Sequence, residues 1–182
     1  MRRSSVILST LAVVALLGCA AGVAPWGPAH AETPDEAAPA AHDASPSPET
    51  REPLVTAVVA LTNTERAKAG LPPLRPNESL IQAAQAYAGV LAPGPCFEHT
   101  CPPVPDLGDR VTRAGYAGYA WIGENIAAGR STAAGVVQGW MDSPGHRANI
   151  LRPEFHEIGV GVATGPGRYA IYWVQVFGAR RQ

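Results

Sequence analysis

Two stretches of this chain repeat apolar residues at helical spacing, and near its end the period changes to two. Leu54, Val58 and Leu61 form a stripe that predicts a helix over 54–69, stopped by Gly70-Leu71-Pro72-Pro73. A clearer stripe, Leu80, Ile81, Ala84, Tyr87, Ala88 and Leu91, predicts a helix over 77–91 that starts at Pro76 or Asn77. A loop follows over 92–108. A short helix is expected over 109–114 with Asp109 as its cap. A longer one is expected over 131–141, capped by Ser131, with Val136, Val137 and Trp140 inward and Pro144-Gly145 ending it. Then Ile158, Val160 and Val162 face one way as in a strand. Gly165-Pro166-Gly167 turns the chain into a second strand over 169–177 that carries Ile171, Trp173 and Val176. No element is assigned to 115–130. Helices first and strands last suit an α+β domain, a sheet with helices on its faces.

The N-terminal third has a different character. Arg2 and Arg3 precede an apolar run from Val6 to Ala24, and Pro25-Trp26-Gly27-Pro28 then breaks any helix. Ala29-His30-Ala31 supplies a small-x-small cleavage site, so 1–31 reads as a secretory signal. The alternative is a lipid anchor, because Leu16-Leu17-Gly18-Cys19 resembles a bacterial lipobox that would put a lipid on Cys19. Either route places the mature chain outside the cytoplasm, without a transmembrane segment. Over 32–53, five prolines and six acids stand among alanines with Arg51 as the one base, which predicts a disordered spacer. Residues 54–182 remain, enough for one domain with one core. That domain carries eleven Lys and Arg against nine Asp and Glu with no basic run, which argues against a nucleic-acid partner.

Cysteine usage agrees with export. Once Cys19 is removed or lipidated, Cys96 and Cys101 form an even pair in a Pro-rich loop, and a local disulfide is the default in an oxidising compartment. A two-thiolate metal site would need two more soft ligands, and only His99 lies between them. Asn77-Glu78-Ser79 matches a glycosylation sequon, and Gly159-Val160-Gly161 is no dinucleotide fingerprint because a strand follows it.

Six segments carry a resemblance. Asn63-Thr64-Glu65-Arg66, Phe97-Glu98-His99, Asp109-Arg110-Val111, Gly123-Glu124-Asn125-Ile126, Trp140 through Ser143-Pro144-Gly145-His146-Arg147 to Asn149, and Ile158-Gly159-Val160-Gly161 together resemble the CAP superfamily. This group joins cysteine-rich secretory proteins, antigen five and pathogenesis-related proteins, whose shared module is the SCP domain; the likeness is nearest to short bacterial members. It implies a three-layer α-β-α sandwich with a cleft holding two histidines and two acids, which bind a divalent ion, often zinc, in some members. Position by position, His99 and His146 match the histidines and Glu124 matches one acid. The second acid is replaced here by Ser143, which departs from the family pattern.

Two neutral imidazoles and a carboxylate with an open fourth position suit three-ligand zinc binding, with a hydrogen-bonded structural cluster and acid–base catalysis as the alternatives. His156 reads as a surface residue, and Glu98 is expected to point away. Asn125 and Asn149 are expected to bridge backbone groups through their amides, and Trp140 and Trp173 to lie in the core. Gly115, Gly123 and Gly145 are expected at tight turns, and Arg147 is a candidate partner for Glu124 or another acid. The favoured function is a secreted binding module for a small molecule, metal, lipid or cell-wall component. A hydrolase using metal-bound water, or Ser143 with His146 and Glu124, is the second class. A structural protein of the cell envelope is the third.

Overall fold

The structure, a computed structural model, describes residues 48–181; the expected signal, the Cys19 lipid site and most of the spacer lie outside the described residues. Among these residues five helices and four strands follow in the order α1 (Pro48–Lys68), β1 (Arg75–Pro76), α2 (Glu78–Leu91), α3 (Leu107–Arg113), β2 (Tyr119–Ala128), α4 (Ala133–Asp142), α5 (Pro144–Ile150), β3 (Glu157–Thr164) and β4 (Ile171–Arg180). The strands form one sheet in the order β1-β3-β4-β2, antiparallel except for the short parallel β1–β3 pair. On one face, Leu80, Ala84, Tyr87 and Leu91 of α2 pack with Val111 and Tyr116 against Val174 and Val176. On the other, Val58 of α1 and Val136, Val137 and Trp140 of α4 pack against Val160, Trp173 and Phe177. The fold is therefore the α+β three-layer α-β-α sandwich.

Several boundaries depart from the sequence expectations, each for a local reason. The first helix begins at Pro48 and includes Pro53, inside the expected spacer. A proline already has helical φ, and this one is exposed in the second turn, so the helix forgoes one backbone bond there on the solvent side. Asp106, not Asp109, caps α3 by accepting from the Asp109 N–H at 3.0 Å. Thr132, not Ser131, caps α4 by accepting from Gly135 N–H at 3.0 Å. Asn77 caps α2 as expected. Helix α4 ends at Asp142, just before Pro144 as expected, and Pro144 then opens a further short helix, α5, where its fixed φ is already helical. The last strand runs over Ile171–Arg180, later than expected.

The largest difference is β2. It was hidden because Gly123, Glu124 and Asn125 interrupt any apolar alternation, yet nine of its positions register with β4. Of the three glycines expected at turns, only Gly115 has positive φ (94°); Gly123 lies in β2 and Gly145 in α5.

Two contacts fix the layers on either side of the sheet. A Cβ on Gly159 would lie 2.1 Å from the Leu80 carbonyl carbon, and one on Gly161 would lie 2.4 Å from that of Ala84. Helix α2 thus rests directly on the β3 backbone, and Gln85 seals the contact by donating to Val162 O at 3.0 Å and accepting from Val162 N–H at 3.2 Å. On the opposite face Arg66 is fully buried and, among the described residues, forms no ion pair with an acid. Its guanidinium donates to the carbonyls of Pro72 (2.9 Å), Ile150 (2.8 Å), Arg152 (2.9 Å) and Phe155 (3.2 Å), tying α1 to the end of α5 and the approach to β3. Burial pushes its pKa below the usual arginine value.

Gly161→Ala should force α2 off the sheet and lower stability by at least about 2 kcal/mol in urea unfolding, whereas an ordinary surface change costs no more than about 0.5 kcal/mol. Arg66→Met should cost about 2–4 kcal/mol because it leaves buried carbonyls without donors. Arg66→Lys should recover little of this loss, since an ammonium cannot reproduce the four-way fork. Equal stability of the Lys variant and wild type would contradict this account.

Candidate functional site

The sheet ends in β2 as an edge strand, and the candidate chemistry collects along it. Glu124 points from β2 toward the α2–α3 layer with only 2% of its side chain exposed. Arg110 of α3 meets it there: Nη1 lies 3.0 Å from Oε2, and Nη2 donates to Oε1 at 3.2 Å. The guanidinium sits 3.5 Å from the centroid of the Tyr87 ring and also donates to the His99 carbonyl at 3.1 Å. Burial of both charges is tolerable because each neutralises the other and the ring covers the guanidinium face.

His99 reaches the same carboxylate from the loop over 92–106. The Cys96–Cys101 disulfide, with Cα atoms 5.9 Å apart, closes the chain around it, as expected from the sequence. Cys101 is buried, and Tyr87 donates to the neighbouring Glu98 carbonyl at 2.7 Å. His99 Nδ1 lies 2.9 Å from Glu124 Oε1, while 57% of the side chain is exposed. With Nδ1–H donating to the carboxylate, Nε2 has no hydrogen-bond partner among the described residues. The hydrogen bond to Glu124 raises the His99 pKa above its usual 6.5, against the opposing effect of partial burial.

His146 approaches from the opposite layer, on α5. Its carbonyl accepts from Asn125 Nδ2 at 3.1 Å, and its half-buried ring has its pKa lowered, first by burial and then by the charge on His99. The same Asn125 amide donates to Gln175 Oε1 (3.0 Å) and accepts from Asn149 Nδ2 (2.9 Å), which also donates to Glu124 O at 3.1 Å. Both asparagines brace backbone through their amides, but on α5 and β2 instead of on a loop. Trp140 and Trp173 are buried in the core.

Ser143 sits half-buried at the α4–α5 junction and makes no side-chain cap bond. Its hydroxyl makes no hydrogen bond with His146 or Glu124, so the nucleophile–base contact of a serine hydrolase is absent among the described residues. His156 is exposed at the far end of the sheet, and the Glu98 side chain points outward. Arg147 is exposed and does not pair with Glu124.

Arg110 takes that role, and Tyr87 supports it. Nothing in a lone arginine on a short helix signals burial; its place in the Asp109-Arg110-Val111 motif was the only available pointer. Tyr87 and Arg110 also line an apolar concavity of about 290 Å³ between α2 and α3, with Val90, Val104 and Arg113 around it.

As arranged, His99, Glu124 and His146 do not fit the expected three-ligand zinc site. Both Glu124 oxygens face the Arg110 guanidinium, and His99 occupies one of them through the nitrogen nearest the carboxylate. Any cation on Glu124 would meet that positive charge at ion-pair distance. Among the described residues no three His, Cys, Asp or Glu side chains are grouped to hold a metal ion.

Residues 59–177 match the cysteine-rich secretory protein (CAP) family. The chain is 41% identical over 120 residues to the uncharacterized protein YkwD of Bacillus subtilis, covering 66% of this chain and 45% of YkwD. An extracellular SCP-domain protein of Bacillus anthracis has a similar structure at TM-score 0.66 and 29% identity, over 74% of this chain and 44% of that one. An outer surface protein of Borrelia burgdorferi shares the fold at TM-score 0.62 and 21% identity, over 69% of this chain and 92% of that one. The chain thus spans less than half the length of YkwD. With a family match over most of the described domain and these bacterial relatives, the chain belongs to the CAP, or cysteine-rich secretory protein, family in its bacterial form.

Proposed function

We propose that this protein is exported and that its CAP domain is a binding module for a hydrogen-bonding small molecule or cell-wall component, taken at His99 and His146 beside the Arg110–Glu124 pair. The observation that carries the reading is electrostatic. A buried carboxylate already balanced by Arg110 orients one imidazole, His99, that favours its charged form, and a second, His146, held toward its neutral form. Such a pair offers a cationic donor and a neutral donor–acceptor to the same polar ligand. The apolar groove beyond Arg110 adds room for a lipid or other apolar portion.

Export is supported by the signal-like pattern over 1–31, by the disulfide and by the extracellular or outer-surface descriptions of two structural relatives. The mass of the mature N-terminus distinguishes cleavage after Ala31 from a lipid on Cys19. No helix of the described residues is long and apolar enough to cross a membrane.

Calorimetric titration with soluble disaccharide-peptide wall fragments tests the binding reading. Wild type should bind saturably without turning the fragments over, and His99→Ala with His146→Ala should weaken binding at least about tenfold. Undiminished binding by a folded double variant would remove the site from this function. Zinc titration is the companion measurement, and uptake of one ion that disappears in the same variant would replace this reading with a metal-dependent one.

The two histidines should also titrate apart. Proton NMR should place His99 above 6.5 and His146 below it. Glu124→Gln should bring His99 down and thereby relax part of the depression of His146. In linkage terms His99 stabilises the fold below about pH 6.5 and loses that contribution as pH rises through its folded value. His146 acts with the opposite sign, so its contribution is lost on acidification below about pH 6.5. Coincident titration curves in wild type would contradict the arrangement.

A further inference from the structure

The far end of the sheet carries a second charged site, built from segments distant in sequence. Arg75 of β1, His156 before β3, Glu157 at its start, and Arg180 and Arg181 at the end of β4 line a concavity of about 240 Å³. Their backbones are pinned. Arg75 N–H donates to His156 O at 2.9 Å, His156 N–H to Gly178 O at 3.0 Å, and Arg181 N–H to Gly118 O at 3.1 Å.

The charges are not balanced locally. Glu157 is the one carboxylate lining the concavity, and its oxygens are already taken from the protein side. Asn77 Nδ2 donates to Oε1 at 2.7 Å, and the Tyr116 hydroxyl donates to Oε2. Arg180 Nε stands 3.9 Å from Oε2, a loose contact, and its guanidinium is held 4.5 Å above the Tyr116 ring. Among the described residues, the side chains of Arg75, His156 and Arg181 have no hydrogen-bonding or ionic partner. Arg75, Arg180 and Arg181 therefore line one concavity with a single carboxylate, Glu157, whose oxygens are bonded from the protein side. Because strand bonds fix their backbones, these three positive residues stay near one another, and an anion between them is favoured.

We propose that this concavity is a binding site for a terminal phosphate ester, distinct from the His99–His146 site. The reasons are chemical. Guanidinium forks match tetrahedral oxyanions bidentately and bind a dianion more tightly than a carboxylate, and His156 adds a further nitrogen donor. A concave site whose lining carries charge at its rim suits the end of a phosphorylated molecule, with the remainder of the ligand in solvent. The proposal is independent of the function assigned to the His99–His146 site.

Titration of the full mature protein with glycerol 3-phosphate at low salt, read by calorimetry and by the unfolding temperature, tests it. Saturable binding should raise the unfolding temperature and should weaken as sodium chloride is added. Arg75→Gln with Arg181→Gln should weaken binding at least about tenfold, while Arg130→Gln with Arg168→Gln, which removes equal charge elsewhere on the surface, leaves it unchanged. All four residues are exposed, so each variant should fold, as an unchanged unfolding temperature without ligand would show. The site is refuted if wild type shows no saturable binding, or if both double variants lose it equally. It is also refuted if phosphatidylglycerol vesicles are captured while glycerol 3-phosphate is not, which would make the patch a membrane-contact surface.

Discussion

The fully buried amide of Asn125 ties the sheet to the helical layer of α1 and α5. Gln175 on β4 accepts from it and in turn donates to Thr62 on α1 at 2.8 Å, while Asn149 and the His146 carbonyl attach it to α5. A polar chain therefore runs from the first helix through two strands to the helix that carries His146. In an apolar interior each unpaired member would be costly, so the chain is stable only when all its members are in register. That requirement sets the position of α5 against the β2 edge and with it the place of His146.

The other face obeys a different constraint. There α2 approaches β3 so closely that Gly159 and Gly161 have helix backbone where side chains would be. This draws Tyr87 to its place under Arg110, and Arg110 holds both Glu124 and the His99 carbonyl. One imidazole is thus positioned from the apolar contact side and the other from the buried polar chain. The edge strand between them is covered by the Asn149 amide on the Glu124 carbonyl, which protects part of an otherwise open ladder.

The buried Arg110–Glu124 pair sets the electrostatics of the His99–His146 cluster. A carboxylate facing only water and imidazoles would present negative charge to a cation. Here the guanidinium cancels that charge at 3.0 Å, and the remaining hydrogen-bonding capacity directs His99. Removing either partner would leave an uncompensated buried charge, commonly costly by about 3–5 kcal/mol. The pair therefore holds the β2 edge and the His99 loop in place.

The sequence alone determined the core stripes of α1, α2 and α4, the Asn77 cap, the final strand pair, the disulfide and, through the family motifs, the three-layer fold. These were legible because apolar period, capping chemistry and cysteine pairing act over a few residues. It also identified His99, Glu124 and His146 as the polar residues of interest. Only the tertiary structure decided that 119–128 is a strand, since its polar residues are buried by partners on β4, α3 and α5 rather than by any local pattern. The same holds for Arg110, which binds Glu124 where Arg147 was one candidate, for Arg66 beneath α5, and for the basic concavity. Its arginines are separated by about half the chain and meet only where β1, β3 and β4 come together. Charge compensation and close approach depend on which segments meet in space, and no spacing within one segment encodes that.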